Sequence, residues 1–273
     1  MTDHPSLDPN IAAYYARGGE RDRLRADRLE EVRTRELLAR FLPPPPATVL
    51  DVGGGAGAYA VGLAAEGYDV HLVDPVALHV EQARAAAAGA GATLASASVG
   101  DARHLDFADG AADAVLLFGP LYHLTERTDR IAALREARRV LRPNGLALAV
   151  AISRFTSTYD GLIQGLLAQD GFEEMMARDV LEGQHRNPDL DTGWFTTAYF
   201  HLPDGLAAEL AEGGLTVEAL LIIEGPSGAM PDADAWLADD VMRGRLLRAI
   251  RRIEAEPSIL GAGGHIMAVG RKS

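Results

Sequence analysis

Hydrophobic residues change their spacing along the chain at the proline run Pro43–Pro46. Before the prolines, apolar residues recur at helical intervals among arginines and acids, which predicts one helix over residues 10–42. The prolines end this helix and serve as a stiff spacer. After them, short apolar runs alternate with segments of helical period. These runs predict strands over residues 48–52, 69–74, 93–99, 113–118 and 146–152.

Alternating strands and helices build βαβ units, so the fold class is α/β with a doubly wound, mainly parallel sheet covered on both faces. The pattern loosens after residue 152, where further helices are expected. Two more apolar runs predict strands at 215–225 and 263–272. Because no clean crossover joins these two strands, they fit an antiparallel addition at the sheet edge.

Charge and composition narrow the classes of function. The 39 acidic residues outnumber the 26 basic ones, giving a formal charge of −13 that disfavours a nucleic-acid partner. The chain has no cysteine, which excludes disulfides, thiolate metal ligands and a cysteine nucleophile. No His/Asp/Glu spacing resembles a metal site. We find neither a signal peptide nor an apolar run long enough to span a membrane, so we expect a cytoplasmic protein without a membrane partner.

The predicted strands deliver acids to one rim of the sheet, where ligands of such folds bind. Asp51, Asp74 and Asp101 each follow or close a strand, and the loop Gly53–Gly57 follows the first strand. The glycines permit close approach of a ligand to the main chain. Asp51 before them repels a pyrophosphate and attracts an ammonium group, while Asp74 suits a ribose diol and Asp101 an adenine amino group. The rim therefore fits adenine, ribose and a cationic amino-acid tail.

A nicotinamide dinucleotide is the competing ligand. The spacing Gly53-x-Gly55-x-x-Ala58 fits the looser dinucleotide fingerprint. Against an NAD(P)-dependent oxidoreductase stand the charge of Asp51 and the absence of a readable Tyr-Lys pair, since Lys272 is the single lysine.

Four stretches, "VLDVGGGAG", "VHLVDP", "GDARHLDFADGAADAVLLFGPLYHL" and "EARRVLRPNGLALAV", resemble the class I S-adenosylmethionine-dependent methyltransferases over roughly residues 45–152. The resemblance implies a Rossmann-like sheet of seven strands with an antiparallel last strand, S-adenosylmethionine as cofactor and S-adenosylhomocysteine as product. It also implies a set of cofactor contacts. These are Gly53 and Gly55 at the methionine moiety, Asp74 at the ribose hydroxyls, Pro75 against the adenine, Asp101 and Ala102 at its amino edge, and Phe118 and Gly119 at the sulfonium.

The N-terminal stretch "YYARGGERDRL" looks like the helix that closes over the cofactor in a subset of these enzymes. Tyr14, Tyr15 and Arg23 are the candidate lid contacts, with an arginine on the methionine carboxylate. The alternative is a solvated helix whose tyrosines pack on the core. We divide the chain into a helical lid and proline linker (1–46) and a methyltransferase domain (47–273), with cap insertions at about 153–202 and 226–260.

Two residues after the fourth strand are candidates for the chemistry. His123 is a candidate general base because imidazole titrates near neutral pH, and Tyr122 is a candidate pocket contact. His123 is equally open to interpretation as a structural residue at a helix start. The loop His185–Asn187 and the aromatic run Trp194–His201 are expected to cap the substrate site.

We therefore expect methyl transfer to an oxygen, nitrogen or carbon atom of a small molecule, by a monomer or homodimer. The sequence lacks the Asn/Asp-Pro-Pro-aromatic pattern of enzymes that methylate base amino groups, in agreement with its acidic charge. The alternatives are the NAD(P)-binding oxidoreductase and a non-catalytic protein that binds the cofactor for regulation, because a fold does not fix a reaction.

Overall fold

The computed structural model describes residues 7–20 and 28–273. Its strands are β1 (Thr48–Val52), β2 (Asp69–Asp74), β3 (Ser96–Val99), β4 (Ala112–Leu117), β5 (Leu141–Ile152), β6 (Gln184–His185), β7 (Ala198–Tyr199), β8 (Thr216–Ile222) and β9 (His265–Arg271). Its α-helices are α1 (Pro9–Ala16), α2 (Arg28–Phe41), α3 (Ala60–Ala65), α4 (Ala77–Gly89), α5 (Pro120–His123), α6 (Arg127–Val140), α7 (Thr156–Ile163), α8 (Phe172–Glu182), α9 (Pro203–Glu212), α10 (Ala233–Ala238) and α11 (Asp240–Arg251).

Seven strands form one sheet in the order β3-β2-β1-β4-β5-β9-β8. The first five strands are parallel, and β9 is antiparallel to both of its neighbours. The structure thus confirms the expected Rossmann-like sheet with an antiparallel last strand. Strand β9 lies between β5 and β8, and β8 forms the edge of the sheet. Strands β6 and β7 pair separately.

The central strands are buried on both faces because helices cover both sides of the sheet. Neighbouring residues of β1 enter different cores: Val49 packs in one cluster and Leu50 in the other, each fully buried. Leu116 and Leu117 of β4 divide in the same way. Continuous apolar runs are what such doubly covered strands require, which explains why they were readable in the sequence.

The prediction of one continuous helix over residues 10–42 is wrong. Helix α1 ends at Ala16, and Gly18 takes a left-handed φ of 76° that a continuing helix cannot hold. Strand β5 also begins earlier than predicted, because Leu141 already pairs with Ala112; after an irregular segment with Asn144 at φ 65°, pairing with β4 resumes at Leu146. Strand β3 is shorter than predicted and begins at Ser96.

Beyond β5, the described chain adds α7, α8 and the small sheet of β6 and β7, and after β8 it adds α10 and α11. These helices lie in the two segments expected to be insertions. Within residues 7–20 and 28–273, every helix is too short or too polar to cross a bilayer.

Candidate functional site

A cleft opens at the carboxyl ends of β1, β2, β3 and β4, where parallel strands place their final residues at one edge. The space inside the cleft, with the open solvent at its mouth included, is about 1080 Å³. The predicted residues that line it are Asp51, Gly53, Gly55, Asp74, Pro75, Asp101, Ala102, Phe118, Gly119, Tyr122 and His123. The assignment of each to a cofactor contact stays a prediction.

The glycine loop forms the wall between β1 and α3. Gly53 and Gly55 have φ angles of 74° and 55°, which side-chain-bearing residues rarely adopt. A β-carbon at Gly53 would lie 2.6 Å from Cδ of Pro120, at the end of β4. The bare loop therefore lets β1 and β4 meet closely while leaving main chain exposed to the cleft.

Asp51 supplies a buried charge directly below this loop. Its side chain is 1% exposed, and neither carboxylate oxygen has a hydrogen-bonding partner among the described residues. Burial, and then repulsion from Asp74, raise the pKa of Asp51 to about 7, partly opposed by the amide of Ala60. A buried carboxylate without a partner is costly, so this position favours a cationic ligand.

Asp74 is held in place by its own neighbourhood. Oδ2 accepts a hydrogen bond from the amide of Gly55 at 2.9 Å, while Oδ1 accepts one from the amide of Val76 at 2.9 Å and faces Nδ1 of His79 at 3.0 Å. Oδ2 thus keeps one acceptor position. A ligand diol gripped by both oxygens requires one of these internal bonds to yield.

Asp101 is paired more strongly than the sequence indicated. Its carboxylate binds the guanidinium of Arg103, which also reaches Asp129 at 2.8 Å. The Asp101–Arg103 pair lines the cleft as a nearly neutral unit. Any amino group of a ligand therefore competes with Arg103 for the acceptor that we predicted.

Tyr122 and His123 lie where β4 passes into α5. The hydroxyl of Tyr122 donates to the carbonyl of Phe118 at 2.7 Å, which directs its ring along the cleft wall. Nδ1 of His123 is 3.4 Å from the carbonyl oxygen of Thr197. Since a carbonyl only accepts, Nδ1 carries the hydrogen in this pair, and Nε2 accepts from the hydroxyl of Tyr15 at 2.6 Å.

The N-terminal helix covers this part of the cleft. Ile11, Tyr15 and Glu20 line it, with the ring of Tyr15 edge-on to His79 at 4.9 Å between centroids. Tyr14 lies outside the lining and packs edge-on against Phe195 at 5.6 Å. The other predicted lid residue, Arg23, falls outside the described part of the chain.

The expected cap also reaches the cleft. Phe195 lies 5.7 Å from the ring of His123 and 6.3 Å from that of Tyr122. His185, from the loop singled out in the sequence, faces the carbonyl of Phe195 through Nε2 at 3.2 Å and Asp179 through Nδ1 at 2.8 Å. The cap residues near the cleft thus rest on a buried polar pair.

The sequence reasoning gave no role to three lining residues that carry a charged or imidazole side chain: Glu20, His79 and Arg103. His79 stands five positions after Asp74, in the first turn of the helix that follows this strand. That position at the strand end could have indicated that His79 lies near the cleft. Arg103 stands two positions after Asp101, a spacing that favours local pairing. Glu20 has no such signal because a break in the chain direction brings it to the cleft.

The charges of the described lining residues fit a cation. Glu20, Asp51 and Asp74 are acidic. Arg103, the one arginine among the described lining residues, is neutralised by its ion pair with Asp101. An amino-acid tail with an ammonium group, together with a sulfonium, finds opposite charge here. A diphosphate would meet repulsion at the glycine loop.

Comparison with known proteins places these features in context. A model of a methyltransferase domain family matches residues 49–145. A ubiquinone/menaquinone biosynthesis C-methyltransferase from Caulobacter sp. (strain K31) is 33% identical over 176 residues, covering 57% of this chain and 68% of that protein. A malonyl-[acyl-carrier protein] O-methyltransferase from Geobacter sulfurreducens is 41% identical over 102 residues, covering 37% of each chain.

Among solved structures, a protein from Methanosarcina mazei described as a SAM-dependent methyltransferase superposes with a TM-score of 0.59 at 16% identity. The match covers 86% of this chain and 96% of that one. At such identity the likeness shows a shared fold.

Proposed function

The chain belongs to the class I S-adenosylmethionine-dependent methyltransferases, and on this premise we propose that its cleft binds S-adenosylmethionine beside an acceptor held between lid and cap. The enzyme transfers a methyl group to a small molecule. We propose below which residues bind the cofactor, which orient the acceptor and which take up its proton.

The buried carboxylate of Asp51 is the observation that carries the proposal. It lines the cleft below the glycine loop without a partner among the described residues. A ligand ammonium supplies the missing charge and hydrogen bonds. An NAD(P) pyrophosphate would instead add negative charge beside an acid, so the oxidoreductase alternative is not supported.

The remaining contacts are those that the family resemblance implies, and each of the residues concerned lines the cleft. We assign Gly53 and Gly55 to the methionine moiety, and Asp74 to the ribose through the free acceptor position of Oδ2. Pro75 packs on the adenine in this assignment. The adenine amino group takes Asp101 or the main chain of Ala102, while Phe118 and Gly119 lie below the sulfonium.

On the acceptor side, we assign the methyl position to the neighbourhood of Tyr122, His123 and Phe195, whose ring centroids lie 4.7–6.3 Å apart. When bound, S-adenosylmethionine supplies an electrophilic methyl group on positively charged sulfur. Tyr122 and Phe195 orient the acceptor and exclude water, with the lid helix closing over them. Correct alignment is the main requirement for an in-line displacement.

An acceptor hydroxyl or amine loses a proton as its new bond to carbon forms. We assign this proton to the hydroxyl of Tyr15, which passes its own hydrogen to Nε2 of His123. The charge then resides on the imidazolium, whose Nδ1 faces the carbonyl of Thr197. The assignment applies to oxygen and nitrogen acceptors; the names of the relatives include a C- and an O-methyltransferase.

Titration calorimetry with S-adenosylmethionine, S-adenosylhomocysteine and NAD tests the proposal. We expect the first two ligands to bind with one site per chain and NAD to give no heat. Binding of NAD alone would overturn the cofactor assignment. A crystal structure with S-adenosylhomocysteine would then show which residues face the vacated methyl position.

A further inference from the structure

A carboxylate of the N-terminal region lies directly over the glycine loop. A β-carbon at Gly55 would lie 3.4 Å from Cγ and 3.7 Å from Oε1 of Glu20. Glu20 is half-buried and lines the same cleft. The lid thus brings an acidic group, and not only an apolar cover, to the loop.

A second carboxylate meets the neighbouring glycine. A β-carbon at Gly54 would lie 2.8 Å from Oδ2 of Asp51, the buried acid whose oxygens are unpartnered among residues 7–20 and 28–273. Two acids from distant parts of the chain therefore converge on two adjacent glycines. Two negative charges on one short loop repel each other, and a cation bound at this loop is attracted to both.

The position of Glu20 along the loop indicates which cation it meets. Gly53 lies against Pro120, the first residue of α5, which also carries Tyr122 and His123, the candidates for the methyl-transfer site. Gly55 instead turns toward β2, since its amide donates to Asp74. A carboxylate over Gly55 is thus on the side of the loop away from the transferred methyl.

We propose that Glu20 is a cofactor-binding residue of the lid that contacts the α-ammonium group of the cofactor's amino-acid tail. This inference rests on the proposed cofactor assignment and deepens it. Asp51 serves the same ammonium from the strand side. The tail thereby links the lid to the sheet. An adenosine ligand that lacks the tail does not make this contact with the lid.

Glu20→Gln tests the inference with two neutral-sulfur ligands. S-adenosylhomocysteine carries the ammonium tail, whereas 5′-methylthioadenosine lacks it. We expect calorimetry to show that the variant binds S-adenosylhomocysteine about three- to tenfold more weakly, with a correspondingly larger dissociation constant. This is the scale of one partly exposed charge contact. The constant for 5′-methylthioadenosine should stay within about twofold. Glu81→Gln, an exposed acid on α4, is the matched control and should change neither constant.

Amide hydrogen exchange gives a second readout that does not depend on turnover. S-adenosylhomocysteine should slow exchange in α1 of the wild-type protein, and this protection should be reduced in Glu20→Gln. The inference is overturned if the substitution weakens the binding of both ligands by the same factor, or if it changes neither dissociation constant. A wild-type protein that binds neither ligand would instead refute the cofactor assignment itself.

Discussion

The phenolic oxygen of Tyr15 lies 2.6 Å from Nε2 of His123, although 108 residues separate the two in the chain. The contact joins α1 to the last residue of α5. It also fixes the hydrogen-bonding role of the imidazole, because Nδ1 faces a carbonyl on its other side. The candidate base is therefore controlled by the lid.

Removal of this hydroxyl should change the imidazole of His123 directly. In Tyr15→Phe, Nε2 loses its donor, so we expect its ¹⁵N resonance to shift in histidine-labelled protein. The loss of one hydrogen bond should destabilise the protein by about 0.5–1.5 kcal/mol.

Tyr14→Phe is the control, since its ring lies outside the cleft lining. It should leave the His123 resonances in place. Unchanged His123 resonances in Tyr15→Phe would contradict the pairing.

Cofactor affinity should depend on pH through Asp51. The pKa of this group is about 7 in the folded protein, and a cationic tail requires the ionised form. As pH falls below about 7, the carboxylate must first lose a proton, so affinity should fall by up to about tenfold per pH unit. Calorimetry at pH 6 and 8 checks this; the other ionisable groups near Asp51 in the cleft lining are Glu20, Asp74 and His79.

Asp51→Asn removes the pH dependence and serves as its control. The same variant should be more stable without ligand, because the folded protein holds the Asp51 proton more tightly than the unfolded chain. Wild-type stability then falls as pH rises between about 4 and about 7. At pH 8 the variant should gain about 1–3 kcal/mol in denaturant unfolding. A less stable variant with unaltered cofactor affinity would refute the charge role.

Asp74→Ala should weaken S-adenosylmethionine binding by about 1–3 kcal/mol, since buried polar partners lose their acceptor. It should also lower the stability of the free protein, because the amides of Gly55 and Val76 are then unpaired. Calorimetry and urea unfolding measure the two effects. Asp69→Ala, at the exposed start of the same strand, should alter neither; an unchanged dissociation constant in Asp74→Ala would exclude the ribose role.

A buried ion pair behind the cap should dominate acid stability. Arg130 and His201 both contact Glu209, and the three side chains are at most 5% exposed. Although burial would raise it, hydrogen bonds from His201 and then Arg130 lower the pKa of Glu209 to about 2. The stability it confers is present above about pH 4.5 and is lost as pH falls toward about 2.

Glu209→Gln should therefore cost about 3–5 kcal/mol near neutral pH, because it leaves Arg130 buried without its charge partner. Thermal and urea unfolding measure the loss. Glu212→Gln on the same helix removes an exposed pair with Arg127 and should change stability by less than about 0.5 kcal/mol. Equal effects in the two variants would show that burial does not strengthen the pair.

The sequence predicted the sheet well where local pattern and tertiary burial agree. Strands β1 and β2 have their predicted limits because strands that are largely buried are rich in apolar residues. The long N-terminal helix failed at Gly18, since an apolar stripe continued across a glycine pair that the backbone uses to turn. The spacing of apolar residues carries no information about the left-handed φ angle of Gly18, which ends the helix.

The site was predictable to the extent that it lies at strand ends. Asp51 and Asp74 were found because topology gathers strand ends at one edge. The contacts of Tyr15 with His123 and of Glu20 with Gly55 were not found, since they join segments far apart in sequence. Such contacts depend on how the lid and cap pack, for which the chain carries no local signal.

The position of β9 between β5 and β8 has a kinetic consequence. The hydrogen-bonding edge of β5 cannot be completed until residues 265–271 have been synthesised, because β8 pairs only with β9. A chain emerging from the ribosome therefore carries an open strand edge for more than a hundred residues, and such long-range pairing slows folding. The pairing of β9 is therefore the step that covers the edge of β5 and joins β8 to the sheet.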